Sequence, residues 1–521
     1  MKVSKHKLTI AWMCGLCLFS GCTLKEKLNS TLTEAQAQQI LQKSTDVTVL
    51  LTAAYRDLNA FQNQDGPFSL EENSSDECLV PTRGADWDDN GVWRVIHAHS
   101  WNSEHSQVAS VFNSMLKTVF DATNVLAFNP NAQQAAEAKF IRALAMYTVL
   151  DIYGQVPYRE VGENLLNPPK VFKGTDAANF IITELETILP NLPAGTTANS
   201  GRANQNGARV LLMKLYLNKG AYGSTRGTAG FTPAFDNADM QKVITHANAV
   251  TGYSLAANYF NNFHYNNTTI STENIFVLKN DLGVGNGNNV RSRWHMTLHY
   301  SQPPGGWNGF STLADVYNKF EASDKRRKDS IIGSSNVAGV TVGFLRGQQY
   351  DKNGNKYKDR RNNDLIYLDD VKLQETDPNT LERTGIRIIK YPIQYDANGA
   401  GVDNADNDYV IFRYADVLLM KAEALMRQTT PDNAGALAIV NQIRTIRGAS
   451  TLGAITLPVL LDERQREFYW EGWRRQDMVR FGTFLAPRTL KPQASDPKFL
   501  WFPIPATSLA VNPNLSQNPG Y

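Results

Sequence analysis

A loop-rich segment between Asp76 and Asn102 concentrates the side chains best suited to bind a ligand. It carries Trp87, Trp93 and Trp101 within fifteen residues that are otherwise rich in glycine and aspartate. Flat rings stack on the apolar face of a ligand, and carboxylate, guanidinium and amide groups form paired hydrogen bonds with its polar groups. For any single tryptophan, packing against helices is the alternative. The predicted ligand-binding residues of this segment are Arg83, Asp86, Trp87, Trp93, Trp101 and Asn102.

A second group of aromatic residues lies in the irregular middle of the chain. Trp294, Tyr300 and Trp307 occur there close to arginine, histidine and asparagine, on either side of a Pro-Pro-Gly-Gly run. These residue types can supply the same stacking and hydrogen bonds as the first segment. The three aromatic residues are therefore further ligand-binding candidates.

Signals for catalysis or for a bound metal are weak. The eight histidines are scattered, and none has a zinc-ligand spacing such as His-Glu-x-x-His. Asp351, Asn353 and Asn355 imitate the start of a calcium loop, but Lys356 stands where glycine is needed and no glutamate closes the loop. The sequence predicts no metal, no cofactor and no catalytic residue, although 50 carboxylates do not exclude a glycosidase pair by count alone.

The first residues have the pattern of a bacterial export signal. Three lysines precede an apolar stretch at 8–19, which is too short to span a bilayer. Small residues then precede Cys22, as a lipoprotein signal peptidase requires. We expect residues 1–21 to be removed, Cys22 to carry a lipid that anchors the protein to a membrane, and residues 22–32 to form a tether. The alternative is an ordinary signal peptide with an incidental cysteine.

Cysteine usage and charge argue against several other classes of function. Cys14 and Cys17 lie in the predicted signal and Cys22 is the predicted lipid site, which leaves Cys78 alone. A lone cysteine forms no internal disulfide and is most often a small buried hydrophobic residue. The formal net charge is only +2, so nucleic acid is not an expected partner.

Apolar residues recur with helical spacing over most of the remaining chain. Helices are predicted at 33–61, 103–129, 131–153, 175–189, 204–217 and 239–250, then as a pair after Phe412 and a long helix at 461–481. Between them, 253–411 is rich in Asn, Gly and Asp, with short strands at 275–278 and 386–389. The pattern predicts a mainly α protein, in which tetratricopeptide-like helix pairs carry a large irregular lobe.

The last predicted helix is dense in glutamate and arginine. Asp462 and Arg466, and likewise Glu471 and Arg475, have the i,i+4 spacing of helical ion pairs with the acid first. We expect these charged residues to form a paired network that clamps the helix to the core.

Seven segments, taken in order along the chain, resemble the SusD/RagB-like family of nutrient-binding lipoproteins. They are residues 138–144 (Ala-Lys-Phe-Ile-Arg-Ala-Leu), 153–158 (Tyr-Gly-Gln-Val-Pro-Tyr), 412–419 (Phe-Arg-Tyr-Ala-Asp-Val-Leu-Leu), 463–468 (Glu-Arg-Gln-Arg-Glu-Phe), 471–474 (Glu-Gly-Trp-Arg), 503–505 (Pro-Ile-Pro) and 517–521 (Gln-Asn-Pro-Gly-Tyr). Each segment alone is a weak signal. Their common order behind the predicted lipid site extends the resemblance over essentially the whole mature chain.

The resemblance implies a SusD-like fold, with an N-terminal helical region at 33–252 and a RagB/SusD-type region at 253–521. In the second region, helices at 412–481 and a C-terminal tail follow the irregular lobe at 253–411. It also implies an outer-membrane lipoprotein of Bacteroidetes that faces the cell exterior and performs no chemistry. Such a protein covers a SusC-type TonB-dependent transporter and delivers oligosaccharide or polysaccharide to it.

The resemblance also bears on the candidate residues and leaves alternatives open. Residues 81–84 (Pro-Thr-Arg-Gly) resemble the stretch that precedes the aromatic glycan platform of the family, and the irregular lobe supplies further platform residues. Capture of peptides by the same scaffold, as in RagB-like proteins, is one alternative, and a surface glycoside hydrolase is another. The identity of the glycan stays open, because aromatic stacking tolerates many sugars.

Overall fold

Helices in the described chain begin and end close to most of the predicted positions. The computed structural model describes residues 46–280, 290–396 and 405–521. The principal helices are α1 (Val47–Asp57), α2 (Pro67–Asn73), α3 (Val92–Ala98), α4 (Ser106–Val125), α5 (Ala132–Tyr153), α6 (Gly174–Ile188), α7 (Gln205–Asn218), α8 (Asn237–Ala249), α9 (Tyr414–Arg427), α10 (Asn433–Ile446), α11 (Leu457–Phe468), α12 (Arg474–Arg480) and α13 (Ala506–Val511). In these ranges, no helix combines the length and apolar character needed to cross a membrane.

Some predicted features lie outside the described residues. These are the signal peptide, the lipid site at Cys22, the tether at 22–32 and the first part of the helix predicted at 33–61. The described chain from Asp46 to Tyr521 packs as one unit. The division at residue 252 therefore stays a prediction about two regions of that unit.

Helix α5 is the central helix of the N-terminal half. A capping box starts it: the Asn131 side chain accepts the backbone N–H of Gln134 at 2.9 Å, and Gln134 accepts that of Asn131 at 3.0 Å. Gly154, with φ of 73°, ends the helix in the left-handed conformation, directly after the predicted end at residue 153. Residues from Ala136 to Tyr153 are buried nearly all round, and α1, α4 and α6 pack against them. A helix that is buried on every side provides a rigid frame for the elements around it.

Helices α9 and α10 form the helix pair predicted after Phe412. Asp432 ends the connection between them and caps α10, since its side chain accepts the N–H of Gly435 at 2.8 Å. The two helices share a separate core with many small side chains. Its buried members on α9 and α10 are Ala415, Leu418, Leu419, Ala422, Ala436, Val440 and Ile443.

The prediction of one helix at 461–481 is wrong, because the chain breaks between α11 and α12. Trp470 and Gly472 have φ of 58° and 82°, which interrupt a right-handed helix. Two buried carboxylates hold the break: Glu77 accepts the N–H of Trp470 at 3.2 Å, and Glu72 accepts that of Gly472 at 2.6 Å. Local periodicity could not reveal this break, since these acceptors lie 393 and 400 residues away along the chain.

The ion pairs predicted within that helix are also wrong. Neither Asp462 nor Glu471 binds the arginine four residues on. Asp462 binds Lys319 at 2.7 Å, and Glu471 binds Lys390 at 2.7 Å and Arg413 at 2.8 Å. The expected clamp is nevertheless present between segments. Glu467, which is fully buried, binds Arg413 at 2.6 Å and thereby joins α11 to the end of a strand.

Short strands run through the irregular lobe and its borders. They are β1 (Thr82–Arg83), β2 (Gln155–Tyr158), β3 (Lys170–Lys173), β4 (Asn274–Leu278), β5 (Lys328–Asp329), β6 (Val342–Leu345), β7 (Gly347–Gln348), β8 (Ile366–Tyr367), β9 (Gln374–Glu375), β10 (Arg387–Ile389) and β11 (Tyr409–Arg413). The antiparallel pairs are β2–β3, β4–β11 and β7–β8, and β10, β6 and β5 form a three-stranded sheet. The predicted strands at 275–278 and 386–389 are confirmed as β4 and β10. Strand β1 pairs in parallel with β9, which ties the Trp-rich segment to the lobe.

Candidate functional site

Arg83 fastens the Trp-rich segment to the lobe. Its side chain is 2 % exposed, and its guanidinium donates to Thr384 O at 2.9 Å, Ser311 Oγ at 2.8 Å and Gly309 O at 3.2 Å. Burial lowers the pKa of Arg83 below its ordinary value. The structure thus places this predicted ligand-binding residue behind the surface, where it positions the chain. Cys78, in the same segment, is fully buried with a free thiol, as predicted.

Trp87 lies half-buried at the front of this segment. Its backbone φ is 61°, an uncommon conformation for a bulky residue, so the surrounding contacts must hold it there. Its indole Nε1 donates to the carbonyl oxygen of Trp307 at 2.7 Å, and its ring meets those of Trp93 and Phe310 edge to face at 5.9 and 5.7 Å. A Cβ atom on Gly309 would lie 2.4 Å from the indole, so only glycine leaves room for this ring.

Trp307 is the most exposed tryptophan of the predicted set, at 39 %. One face of its ring stacks on His295, with centroids 5.2 Å apart and planes 21° apart. The imidazole is itself held by the carbonyl oxygen of Gly305, 2.6 Å from Nδ1. Gly306 packs so closely on Leu298 that a Cβ would lie 1.8 Å from its carbonyl oxygen. The loop therefore presents the Trp307 ring on a rigid support.

Tyr300 joins the two predicted segments through Asp86. The phenol donates to Asp86 Oδ2 at 2.6 Å, and Arg360 Nη2 donates to the same oxygen at 2.9 Å. The Arg360 guanidinium also lies 3.9 Å from the centre of the Tyr300 ring, in a cation–π contact. Its Nε binds Glu382 Oε1 at 2.5 Å, and Glu382 accepts from His299 at 2.8 Å.

Electrostatic interactions hold Asp86 and Tyr300 in defined protonation states. Partial burial acts to raise the pKa of Asp86, but the hydrogen bonds from Tyr300 and Arg360 outweigh it and lower the pKa below its ordinary range. Burial, and then the bond to Asp86, raise the pKa of Tyr300 above its ordinary value. At neutral pH, Asp86 is therefore an ionised acceptor and Tyr300 a protonated donor. We call Trp87, Tyr300, Trp307, Asp86 and Arg360 the aromatic patch.

The other predicted residues do not reach the aromatic patch surface. Trp93 lies beneath Trp87 at 7 % exposure, and Trp294 is fully buried, with Nε1 donating to Tyr391 O at 2.8 Å. Trp101 is 3 % exposed and stacks on Phe502 in the C-terminal tail, and Asn102 is exposed beside it in sequence. These residues are not part of the aromatic patch, but they can still contribute to ligand binding. That contribution stays a prediction.

Sequence reasoning missed Arg360 and Glu382. Arg360 lies in a run of charged residues at 358–361, and Glu382 lies in the turn at 378–383. No local pattern distinguishes them from ordinary surface charges. Only the fold of the lobe brings them to Asp86 and Tyr300.

Comparison with known proteins assigns the chain to a family. Residues 247–521 match the sequence profile of the SusD family. The chain belongs to the SusD family. The starch-binding protein SusD of Bacteroides thetaiotaomicron is 28 % identical over 506 residues, covering 87 % of this chain and 85 % of that protein. The resemblance found in the sequence is thereby confirmed.

Solved structures of SusD-like proteins share the fold. A laminarin-binding SusD-like protein is similar with a TM-score of 0.66 and 19 % identity, over 91 % of this chain and 99 % of the other. Surface glycan-binding protein A from Bacteroides thetaiotaomicron, solved in complex with laminarihexaose, has a TM-score of 0.64 and 17 % identity over 91 % and 98 %. The predicted mainly α, SusD-like fold is confirmed. SusD family members are substrate-binding proteins, so the prediction that the chain is not an enzyme is also confirmed.

Proposed function

We propose that this SusD family protein captures an oligosaccharide on the aromatic patch, at the outer surface of a bacterial cell. It then delivers the sugar to a SusC-type TonB-dependent transporter for import. The observation that carries the proposal is the position of Trp307: an exposed indole, held flat on His295, stands beside the half-buried Trp87. Rigid and partly exposed aromatic rings of this kind favour ligand binding over internal packing.

The chemistry of the aromatic patch matches the two kinds of surface that a sugar presents. Pyranose rings have apolar C–H faces, for which Trp87 and Trp307 offer indole surfaces to stack on. They also carry hydroxyl groups, which form hydrogen bonds with a fixed carboxylate such as Asp86 and a half-exposed guanidinium such as Arg360. Tyr300 orients both of these polar groups. The charges of the patch pair with one another, so a neutral ligand can bind without leaving an unpaired ion.

Two relatives suggest which sugars to test first. One is named as a starch-binding protein and another as a laminarin-binding SusD-like protein, so both of the polysaccharides named are glucose polymers. Maltohexaose and laminarihexaose, which join glucose units through different glycosidic linkages, are therefore suitable probes. Binding of either one supports the proposal, and their ratio reports linkage preference.

Titration calorimetry of the purified protein tests the aromatic patch. We expect saturable binding of at least one hexaose, and Trp307→Ala should weaken it at least about tenfold because the exposed stacking surface is removed. The matched control is Tyr350→Ala, which removes another exposed aromatic ring, at 47 % exposure. Equal loss in both variants, or none in either, would contradict the site assignment.

A peptide panel tests the alternative ligand class. Saturable binding of peptides, with no binding across a panel of oligosaccharides, would replace the proposed ligand while keeping the scaffold. We expect the reverse, because the aromatic patch presents flat rings on which the apolar faces of sugars stack.

Anchoring and delivery need separate tests, since Cys22 lies outside the described residues. We infer that Cys22 carries the lipid and that the protein faces the cell exterior. Metabolic labelling with palmitate should mark the wild-type protein and not Cys22→Ala, and external protease should cleave it on intact cells. Delivery predicts that a SusC-type transporter copurifies with the protein from detergent-solubilised membranes. Labelling of Cys22→Ala at the wild-type level would exclude this residue as the anchor.

A further inference from the structure

A second cavity lies between α11, α12 and the chain that follows them. Its volume is about 430 Å³, which is within the range of small-molecule sites. It shares no residue with the aromatic patch. Both apolar and charged side chains line it. The apolar lining is formed by Phe235, Leu457, Pro458, Leu461, Met478, Phe481 and Pro487. We call it the Arg427 cavity after the side chain at one wall.

An alternating chain of buried charges ends at this cavity. Each member pairs with the next at 2.6–3.1 Å, and no side chain in it is more than 8 % exposed. Its members in order are Lys214, Asp416, Arg464, Asp477, Arg480, Glu423 and Arg427. Four cations alternate with three carboxylates, so this series of seven side chains carries one surplus positive charge. A buried surplus charge is costly unless a counter-charge approaches it.

Among the four cations of this series, Arg427 is the one whose charge is least compensated. Its Nε binds Glu423 Oε1 at 2.8 Å, but Glu423 also accepts two bonds from Arg480, both at 2.8 Å. Phe235 and Phe481 flank the Arg427 guanidinium, 3.7 and 4.7 Å from their ring centres. Its two terminal nitrogens have no hydrogen-bond partner among the described residues, although the side chain is only 8 % exposed. A guanidinium with free donors that line a cavity is a strong site for a carboxylate.

A second guanidinium at the cavity, that of Arg488, has no carboxylate partner among the described residues. Arg488 donates to the carbonyl oxygens of Ser74 at 2.7 Å and His97 at 3.2 Å, and it contacts no carboxylate within ion-pair distance in the described chain. Burial lowers the pKa of Arg488 to about 10, so the group stays charged at neutral pH. The remaining ions of the walls are balanced, since Lys319 pairs with Asp462 and Arg474 pairs with Asp76.

We propose that the Arg427 cavity binds a small organic carboxylate with an aromatic or alkyl body. The carboxylate pairs with the terminal nitrogens of Arg427, and the apolar body covers Leu461, Met478 and Phe481. Binding completes the alternating chain with a fourth negative charge. The positive field of Arg488 adds to the attraction. This site is independent of oligosaccharide capture.

Fluorescence or calorimetric titration with 4-phenylbutyrate and its neutral amide tests the proposal directly. We expect saturable binding of the acid at least about tenfold tighter than that of the amide, because only the acid can pair with the guanidinium. Alkyl carboxylates of four to ten carbons extend the panel. Equal binding of acid and amide would overturn the proposal, and so would the absence of saturable binding by every acid.

Two variants test where the acid binds, so the result does not depend on whether a single substitution disturbs folding. Arg427→Gln removes the charge while Arg480 still holds Glu423, and it should weaken acid binding about tenfold or more. Ala486→Trp places a large ring in the cavity from an exposed position and should block the acid without touching the buried ions. Unchanged acid binding in both variants would refute the site.

Reciprocal controls separate this site from the aromatic patch. Trp307→Ala should leave acid binding unchanged, and Arg427→Gln should leave oligosaccharide binding unchanged. Loss of acid binding in Trp307→Ala would place the acid at the aromatic patch and overturn the proposal. Failure of oligosaccharide binding in the wild type would affect the proposed function and not this cavity.

Discussion

Arginines meet carboxylates and aromatic rings in two regions of this protein, and burial separates their roles. Near α11, Arg413 is 1 % exposed, lies 4.5 Å from the centre of the Phe468 ring and binds Glu467 and Glu471 at 2.6 and 2.8 Å. These side chains are almost completely shielded from solvent, so their charges are compensated mainly by one another. Such a cluster contributes to the frame and to the uniqueness of the packing.

At the aromatic patch, the same residue types are arranged at the surface. Arg360 lies over the Tyr300 ring and binds Asp86 and Glu382, yet its side chain is 52 % exposed. Water can replace the exposed Asp86 carboxylate at little cost, and so can a ligand hydroxyl. The same combination of residue types is therefore a structural clamp where it is buried and a recognition surface where it is exposed.

Removing the buried arginine should have the largest effect. Arg413→Ala removes a buried cation from Glu467 and Glu471, which then keep only their remaining partners, Arg447 and Arg326 for Glu467 and Lys390 for Glu471. The buried cluster loses a positive charge, and we expect the free energy of unfolding to fall by about 3–5 kcal/mol. Chemical denaturation followed by circular dichroism measures this. Arg360→Ala is the matched control at the aromatic patch and should cost less than about 1 kcal/mol. Equal losses of unfolding free energy in the two variants would contradict the distinction between a buried structural cluster and an exposed recognition surface.

Glu72 and Glu77 are buried carboxyl groups that lie next to each other, and they should make the free energy of unfolding depend on pH. Burial and the adjacent Glu77 raise the pKa of Glu72 well above its ordinary value, and burial raises that of Glu77 to about 7. The folded protein therefore holds protons that the unfolded chain, with glutamate pKa near about 4.3, has released. Stability from this pair is complete below the unfolded pKa and is lost as pH rises toward 7 and above.

Glu72→Gln tests that pH dependence. The amide keeps an acceptor for the N–H of Gly472 and removes one titrating group. The unfolding free energy of the variant should fall less steeply between about pH 5 and 8, by up to about 1.4 kcal/mol per pH unit for one proton. Denaturation curves measured across this range for both proteins supply the comparison. Parallel pH profiles would show that the pair is ionised in the folded protein.

A methyl group behind Trp87 should disturb recognition more than stability. Gly309→Ala places a Cβ 2.4 Å from the indole, so the ring must shift from the aromatic patch surface. We expect oligosaccharide affinity to fall about tenfold, because a displaced ring stacks poorly. Gly453→Ala is the control, since its Cβ would meet no atom within 4 Å. Titration calorimetry of both variants decides whether the rigid support of Trp87 matters.

The smallest expected effect concerns the hydroxyl of Tyr300. Tyr300→Phe keeps the ring under Arg360 and removes the hydrogen bond to Asp86, so affinity should fall about two- to fivefold. Calorimetry again measures it, with Trp307→Ala as the reference for a full loss. If Tyr300→Phe were as damaging as Trp307→Ala, orientation of Asp86 would outweigh stacking at this site.

Much of the fold could be predicted because its signals are local. Asn131 and Gly154 mark the ends of α5 through capping chemistry, which depends on a few neighbouring residues. The break between α11 and α12 could not be predicted in the same way. Its carboxylate acceptors, Glu72 and Glu77, come from the opposite end of the sequence.

The candidate site could likewise be predicted only where its signals are local in sequence. Sequence alone marked Trp87, Tyr300 and Trp307, since aromatic residues in Gly-rich loops are suited to binding. It could not separate them from Trp101 and Trp294, which have similar neighbours in sequence. The difference lies in distant partners: the tail ring of Phe502 covers Trp101, and the lobe around Tyr391 encloses Trp294.

By itself, the sequence determined the helical class, the family and the segments from which recognition residues come. These properties follow from periodicity, capping and ordered motifs, all of which are written along the chain. Tertiary structure alone decided which indoles reach solvent, and it brought Arg360 to Asp86. It also placed Arg427 at the end of a buried chain of charges. Exposure and charge pairing are set by contacts between remote segments, and no local pattern encodes those contacts.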